Sequence, residues 1–168
     1  RDATRVVLDD GSLCVSSAPG MLPTLISLLH ETPRPSRVLI DTGDHATPWE
    51  IAEFGRLPGF SLAGIVVVLP ADRALTILTD PRTGRATRQR LSAADSILLL
   101  AEPGVAPQDL ERIRRRVRTL APGPRVILDA GGNTAPDLLT TRPRATAHQG
   151  LSVYAMAREG RQIGRAHV

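Results

Sequence analysis

The chain has 168 residues, of which 42% are hydrophobic and 23% charged, so it is large enough and apolar enough for one domain with a buried core. It contains no apolar run of 18 residues and no signal-peptide pattern at its start, which predicts a soluble cytoplasmic protein. A single cysteine, Cys14, excludes an internal disulfide framework.

All 21 basic residues are arginine, and the formal net charge is +4. The absence of lysine, together with many Ala, Gly and Pro residues, indicates a coding bias toward GC-rich codons. The run ERIRRRVRTL, residues 111–120, places apolar residues at helical spacing and arginines mainly on the other side. No aromatic residue lies near it for base stacking. We therefore interpret it as a solvated amphipathic helix and expect neither nucleic-acid nor membrane partners.

Short β-branched or leucine-rich runs alternate with helical patterns along the chain, which is typical of βα units on a mostly parallel sheet. The apolar runs are nearly continuous, so we expect the strands to be buried on both faces. The predicted strands cover residues 5–8, 38–41, 65–69, 97–100 and 126–129.

Helical spacing predicts four helices between these strands and a short fifth helix after them. Thr47 is the expected N-cap of the second helix, with Pro48 in its first turn. The polar segment 79–90 is interpreted as an exposed loop that leads into the third helix. The predicted helices cover residues 21–30, 48–57, 87–94, 107–120 and 135–139.

Two carboxylates follow the second predicted strand in the segment VLIDTGDHATP. Asp41 and Asp44, with Gly43 between them, could hold Mg²⁺ directly or through water. Alternatively, one aspartate ends the strand and the other sets up the turn before a helix. The triplet Asp-Thr-Gly also occurs in aspartic proteases of the retroviral type, but those are all-β folds, whereas this chain alternates strand and helix.

Other catalytic and metal-binding patterns find little support in the residues. Cys14 is accompanied by no Cys-x-x-Cys or His-x-x-x-His spacing, so a packed cysteine competes with a metal ligand. No G-x-S-x-G segment is present, which argues against a serine hydrolase. Because the chain has no lysine, it cannot contain the Walker A loop G-x-x-x-x-G-K-[ST].

Five segments in series resemble the CobW-like branch of the CobW/HypB/UreG family of P-loop GTPases. They correspond to the metal-motif region with its helix, the switch strand with its helix, the next strand, the guanine-recognition strand, and the helix and strand that follow. The segments are DDGSLCVSSAPGMLPTLISLL, RVLIDTGDHATPWEIAEF, LAGIVVVLPA, RLSAADSILLLAEPGV and LERIRRRVRTLAPGPRVIL.

The resemblance implies a three-layer α/β fold with a mostly parallel sheet, similar to P-loop NTPases but without the first strand and the P-loop. It further implies GTP and Mg²⁺ as cofactors, zinc or cobalt as a handled metal, a metalloprotein client and a connection with cobalamin biosynthesis. The chain alone is expected to be inactive as a GTPase. The alternative is a non-catalytic α/β interaction module that kept the fold and lost nucleotide binding.

The resemblance also assigns site residues. Asp41 stands where the family has the switch glutamate, with Gly43 and Asp44 in the switch turn, and Cys14 is the one thiol left of a three-cysteine metal motif. Leucine, alanine and proline side chains cannot make the hydrogen bonds of the guanine-recognition motif. That motif's positions are occupied by Leu100, Ala101, Glu102 and Pro103.

We expect three segments along the chain. Residues 1–141 form a partial CobW-like nucleotide-binding domain, and residues 142–162 form a linker and the start of a C-terminal domain, with LSVYAMA as its strand. Residues 163–168, IGRAHV, match one reading frame of a common sequencing adapter, and we interpret them as read-through.

The read-through interpretation makes a prediction about the coding DNA. The last six codons should read ATC GGA AGA GCA CAC GTC, since only the adapter sequence fixes that choice among synonymous codons. The DNA read from which this sequence was translated checks this, and any other codon at one of these positions would contradict it.

Overall fold

Strands and helices alternate along the chain as the apolar pattern predicts. The computed structural model describes residues 20–42, 47–82, 84–101, 104–129 and 151–158, the last segment as backbone only. A short 3-10 turn, Glu53–Arg56, continues the second helix. The elements are α1 Met21–His30, β1 Arg37–Asp41, α2 Pro48–Ala52, β2 Phe60–Pro70, α3 Ala74–Thr79, α4 Gly84–Ala93, β3 Ser96–Leu100, α5 Pro107–Leu120, β4 Arg125–Asp129 and β5 Leu151–Arg158.

The five strands form one sheet in the order β1-β5-β2-β3-β4. Every neighbouring pair is parallel. This confirms the predicted α/β class and the parallel sheet. β1 and β4 are the two edge strands, and β2 lies in the middle.

The five helices of the described part contribute to one apolar core on one face of the sheet. From β1 to β4 the chain always advances in the same direction across the sheet, and right-handed crossovers then put every connecting helix on the same side. Alternate residues of β2 therefore face opposite sides of the sheet. Ile65, Val67 and Leu69 face the helices, whereas Val66 and Val68 belong to a second, smaller cluster with Leu98 and Ile127 of the neighbouring strands. The third layer of the expected fold stays a prediction.

β5 takes a different place from the one that the sequence analysis assigns to it. The strand expected in LSVYAMA forms, but it pairs with β1 and β2 instead of opening a separate unit. Between β1 and β2 the backbone N–H and C=O groups of both strands need partners, and β5 supplies them. This parallel pairing joins residues more than 80 positions apart, so local sequence patterns cannot show it.

The segment expected as an exposed loop is mostly helical. α3 was not predicted, and α4 begins at Gly84, three residues before the expected start. Between them the Asp80 side chain accepts a hydrogen bond from the Arg82 N–H at 2.7 Å, and the Asp80 carbonyl accepts one from the Gly84 N–H at 2.8 Å. This aspartate-centred turn uses only four residues. The prediction of a long loop was therefore wrong.

The second helix is shorter than predicted because its end meets β2. A Cβ atom on Gly55 would lie 3.0 Å from the Leu62 Cα atom, so the 3-10 turn packs its backbone directly against the strand. At the other end, Thr47 has extended backbone angles, as an N-cap should, but its hydroxyl makes no capping hydrogen bond. The prediction of Thr47 as the N-cap residue, with Pro48 in the first turn, is thus confirmed.

Several predictions fall outside the described residues. These are the strand at residues 5–8, the helix at residues 135–139, the boundary between residues 141 and 142, and the interpretation of residues 163–168. They stay predictions.

At the amino ends of the central strands, Asp95 connects three strands. Its carboxylate accepts a hydrogen bond from the Ile65 N–H at 2.8 Å, beside the irregularity at Gly64. Its own N–H donates to the Ile65 carbonyl at 2.9 Å, and its carbonyl accepts from the Arg125 N–H at 3.0 Å. The pairing of β2 with β3 begins only at Val66 and Ser96, so the Ile65 N–H has no partner in the ladder, and the Asp95 side chain satisfies it.

Replacing Asp95 tests this connection. Asp95→Ala leaves the Ile65 N–H without its acceptor and should lower the free energy of unfolding by about 1.5–3 kcal/mol, whereas Asp95→Asn, which keeps an oxygen acceptor, should lose less than half of that. The exposed Asp72→Ala is the matched control and should stay within about 0.5 kcal/mol of the parent. Urea unfolding followed by circular dichroism measures all three. Equal losses for Asp95→Ala and Asp72→Ala would contradict the role.

Candidate functional site

The strands all end at one side of the sheet, which we call the carboxyl edge. In order across the sheet it is formed by the last residues of the strands, namely Asp41, Arg158, Pro70, Leu100 and Asp129. Ligands of open parallel α/β sheets bind beyond the carboxyl ends of the strands. This edge is therefore the first place to look for the predicted site.

β1 brings an acidic and a hydroxyl side chain to one end of this edge. Asp41 is exposed, while the next residue, Thr42, is buried. The apolar residues before Asp41 fix its position, because Ile40 is buried in the core and Asp41 pairs in register with Met156 of β5. An exposed carboxylate on a fixed strand end can approach a cation without moving the sheet.

β4 ends the opposite side of the edge with a second aspartate, Asp129, which is only 5% exposed. The apolar pattern predicts this residue in a strand, but Asp129 is not among the predicted site residues. A signal was present, because RVLID in β1 and RVILD in β4 have the same pattern and both end in aspartate.

The two aspartates are too far apart to hold one ion. Four strand spacings of roughly 4.8 Å separate β1 from β4, and the register adds an offset of four residues along the strands, so the two aspartates lie more than about 19 Å apart. Two ligands of one Mg²⁺ each lie about 2.1 Å from it. In the part of the chain that the structure describes, no three His, Cys, Asp or Glu side chains come together as a metal cage.

The middle of the carboxyl edge is apolar and closed by backbone hydrogen bonds. The Ala71 N–H donates to the Leu100 carbonyl at 2.9 Å, and the Ala101 N–H donates to the Asp129 carbonyl at 2.8 Å. Each bond extends the sheet ladder by one residue, which buries Ala71 and Ala101. Two of the four guanine-motif positions, Leu100 and Ala101, thus present no polar side chain to a base.

Three of the predicted site residues are placed by the structure, and all three lie on the carboxyl edge. Asp41 and Leu100 are three strand spacings apart across the sheet, and the register also sets Asp41 level with Val66, four residues before Pro70. The two residues therefore lie roughly 20 Å apart. The other predicted site residues lie outside the described residues; they are Cys14, Gly43, Asp44, Glu102 and Pro103.

A second candidate surface lies away from this edge, on α4. Arg85, Arg88, Gln89, Ser92 and Ala93 line an open cavity of about 430 Å³. Four of these side chains carry hydrogen-bond donors. The sequence pattern predicts a loop for the first residues of α4. The arrangement of Arg85 and Arg88 one helical turn apart could therefore not be predicted.

No protein-family model, curated protein or solved structure matches the chain. Within the described ranges, no helix has the length and apolar character needed to cross a membrane.

Proposed function

We propose that this chain is a degenerate CobW-like nucleotide-binding domain with a role in metal handling, in which Asp41 helps to hold Mg²⁺ against nucleotide phosphates. The observation that carries the proposal is the position of Asp41. It is an exposed carboxylate at the carboxyl end of a parallel strand, which is where the resemblance expects the switch residue.

The coordination chemistry of Mg²⁺ fits a site with a single protein carboxylate. Mg²⁺ keeps several waters and is usually bound by one or two carboxylates together with substrate phosphates, without a cage made of protein alone. The lack of a three-ligand cluster among the described residues is compatible with such a site. Asp41 would supply one oxygen, and the phosphates and water would supply the rest.

The apolar middle of the carboxyl edge bears on nucleotide selectivity. A base placed near Leu100 and Ala101 meets no side-chain acceptor from these two residues. A binding site rejects a wrong base when the wrong base would leave polar groups of the protein without hydrogen-bond partners. The side chains of Leu100 and Ala101 provide no such groups. We therefore propose that GTP and ATP bind with similar affinity.

A P-loop lysine is absent from this sequence, so phosphate binding in the chain rests on the metal and on backbone groups. We propose that the chain on its own does not hydrolyse nucleotides. The handled metal and a metalloprotein client belong to the same proposal and rest on the resemblance.

A non-catalytic interaction module is the second candidate. The closed middle of the carboxyl edge favours it, because the backbone bonds of Ala71 and Ala101 fill the position where a base-binding cleft would open. In this case the fold serves only to present surfaces to a partner.

Nucleotide titration tests the first proposal. The full chain should bind mant-labelled GTP and ATP in the presence of Mg²⁺, with dissociation constants within about threefold of each other. Asp41→Asn should weaken Mg²⁺-dependent binding by about tenfold, because it removes one charged ligand. Fluorescence titration with and without EDTA measures both effects.

Glu31→Gln is the matched control, because Glu31 is an exposed carboxylate that precedes β1 and lies toward its amino end. It should leave nucleotide binding unchanged. If neither nucleotide binds, or if Asp41→Asn binds as the parent chain does, the nucleotide proposal fails and the interaction module becomes the better account.

A further inference from the structure

We infer that the arginine-rich surface formed by α4 and α5 binds the phosphate backbone of double-stranded nucleic acid. The inference is independent of nucleotide binding at the carboxyl edge. It differs from the sequence expectation of no nucleic-acid partner, which considered the arginines of residues 111–120 alone.

The positive charge of the chain is concentrated on these two helices. Eight of the 21 arginines fall within their 24 residues, where an even distribution would place about three. With Asp109 and Glu111 as the only acids, the two helices carry a formal charge of +6, so the rest of the chain carries −2 of the total of +4. A coding bias explains why these residues are arginine rather than lysine, but it does not explain their concentration here.

The fold places the two helices side by side. Both follow successive crossovers in the same direction, so they run parallel on one face of the sheet, and they are in contact. Helical geometry turns Arg85 and Arg88 toward the α5 side of α4, because the buried stripe of α4 includes Thr87 and Leu91. By the same geometry, Arg112 and Arg116 turn toward the α4 side of α5.

Few of these arginines are neutralised within the described part of the chain. Glu111 lies 3.7 Å from Arg114 and 3.9 Å from Arg115, and these exposed pairs contribute little. The described residues provide no acidic partner for four exposed arginines, namely Arg85, Arg88, Arg112 and Arg116. Exposed guanidinium groups of this kind are suited to bidentate contacts with phosphate oxygens.

The cavity on α4 has the donors that a phosphate group requires. Its lining includes the guanidinium groups of Arg85 and Arg88, the amide of Gln89 and the hydroxyl of Ser92. No carboxylate lies among its described lining residues. The cavity thus adds an open recess, lined by hydrogen-bond donors, to the surface formed by α4 and α5.

Composition distinguishes between the classes of macromolecular partner. Protein interfaces depend on buried aromatic and apolar anchors, whereas interfaces with DNA are polar and strongly positive. The large hydrophobic side chains that are exposed in the described part of the chain all lie outside α4 and α5; they are Leu22, Ile26, Leu39, Trp49 and Leu128. Neither helix contains an aromatic residue. Because proteins bind single-stranded nucleic acid largely by stacking aromatic side chains on the bases, this disfavours a single-stranded partner.

Binding to a 30-base-pair DNA duplex, measured by fluorescence anisotropy with the full chain, tests the inference. Affinity should fall steeply between 50 and 200 mM NaCl, because binding releases counterions from the phosphates. The double variant Arg112→Gln/Arg116→Gln should weaken binding at least tenfold at 50 mM NaCl and lower the log–log salt slope by about 1–2. The double variant Arg85→Gln/Arg88→Gln on α4 should have the same effect. Because it leaves α5 unchanged, it shows that the loss of binding does not come from a folding defect of α5.

The matched control is Arg37→Gln/Arg125→Gln, which removes the same charge from two exposed arginines at the amino ends of β1 and β4. It should weaken binding by less than threefold. No duplex binding at 50 mM NaCl, equal loss in the control, tighter binding of a single-stranded 30-mer, or equally strong adsorption to phosphatidylserine vesicles would overturn the inference. Nucleotide binding by the Arg112→Gln/Arg116→Gln variant should match that of the parent, which keeps failure here distinct from failure at Asp41.

Discussion

The right-handed crossover between parallel strands is the constraint on which the rest of this structure depends. Four strands follow one another in a single direction, so their connecting helices have to lie on the same face. The insertion of β5 between β1 and β2 makes β2 the centre of the sheet, with Val67 and Leu69 under the helices and Val66 on the opposite face. The shared direction of the crossovers also puts α4 and α5 beside each other, although local sequence gives no reason for the two to meet.

The two ends of the sheet satisfy their backbone hydrogen-bonding groups in different ways. At the amino ends, the Asp95 carboxylate accepts a hydrogen bond from the Ile65 N–H, which the ladder between β2 and β3 does not use. At the carboxyl edge, the N–H groups of Ala71 and Ala101 continue the ladder, and Asp41 and Asp129 end the two edge strands. Among the last residues of the strands, Asp41, Arg158 and Asp129 are charged, whereas Pro70 and Leu100 are apolar.

The two surfaces discussed above involve opposite charges on different elements. Asp41 offers an anionic ligand at a strand end, suited to a cation bridged to phosphate. The α4–α5 surface offers cationic groups on the outside of the helical layer, suited to phosphate directly. The α4–α5 surface is on the outer side of the helices, away from the sheet. Substitutions can therefore alter either surface without disturbing the other, and each surface has its own control variants.

The sequence by itself determined the local elements and the class of fold. The apolar runs that became β1, β3 and β4, the helices α1 and α5, and the position of Asp41 at a strand end all follow from periodicity over a few residues. Only the tertiary structure decided what depends on distant residues: the insertion of β5 between β1 and β2, the burial of Ala101 and Asp129, the 3-10 turn that meets β2 at Gly55, and the pairing of two arginine-bearing helices. The physical reason is that a parallel sheet joins strands through crossovers, so its neighbours are set by packing and handedness instead of by proximity in the chain.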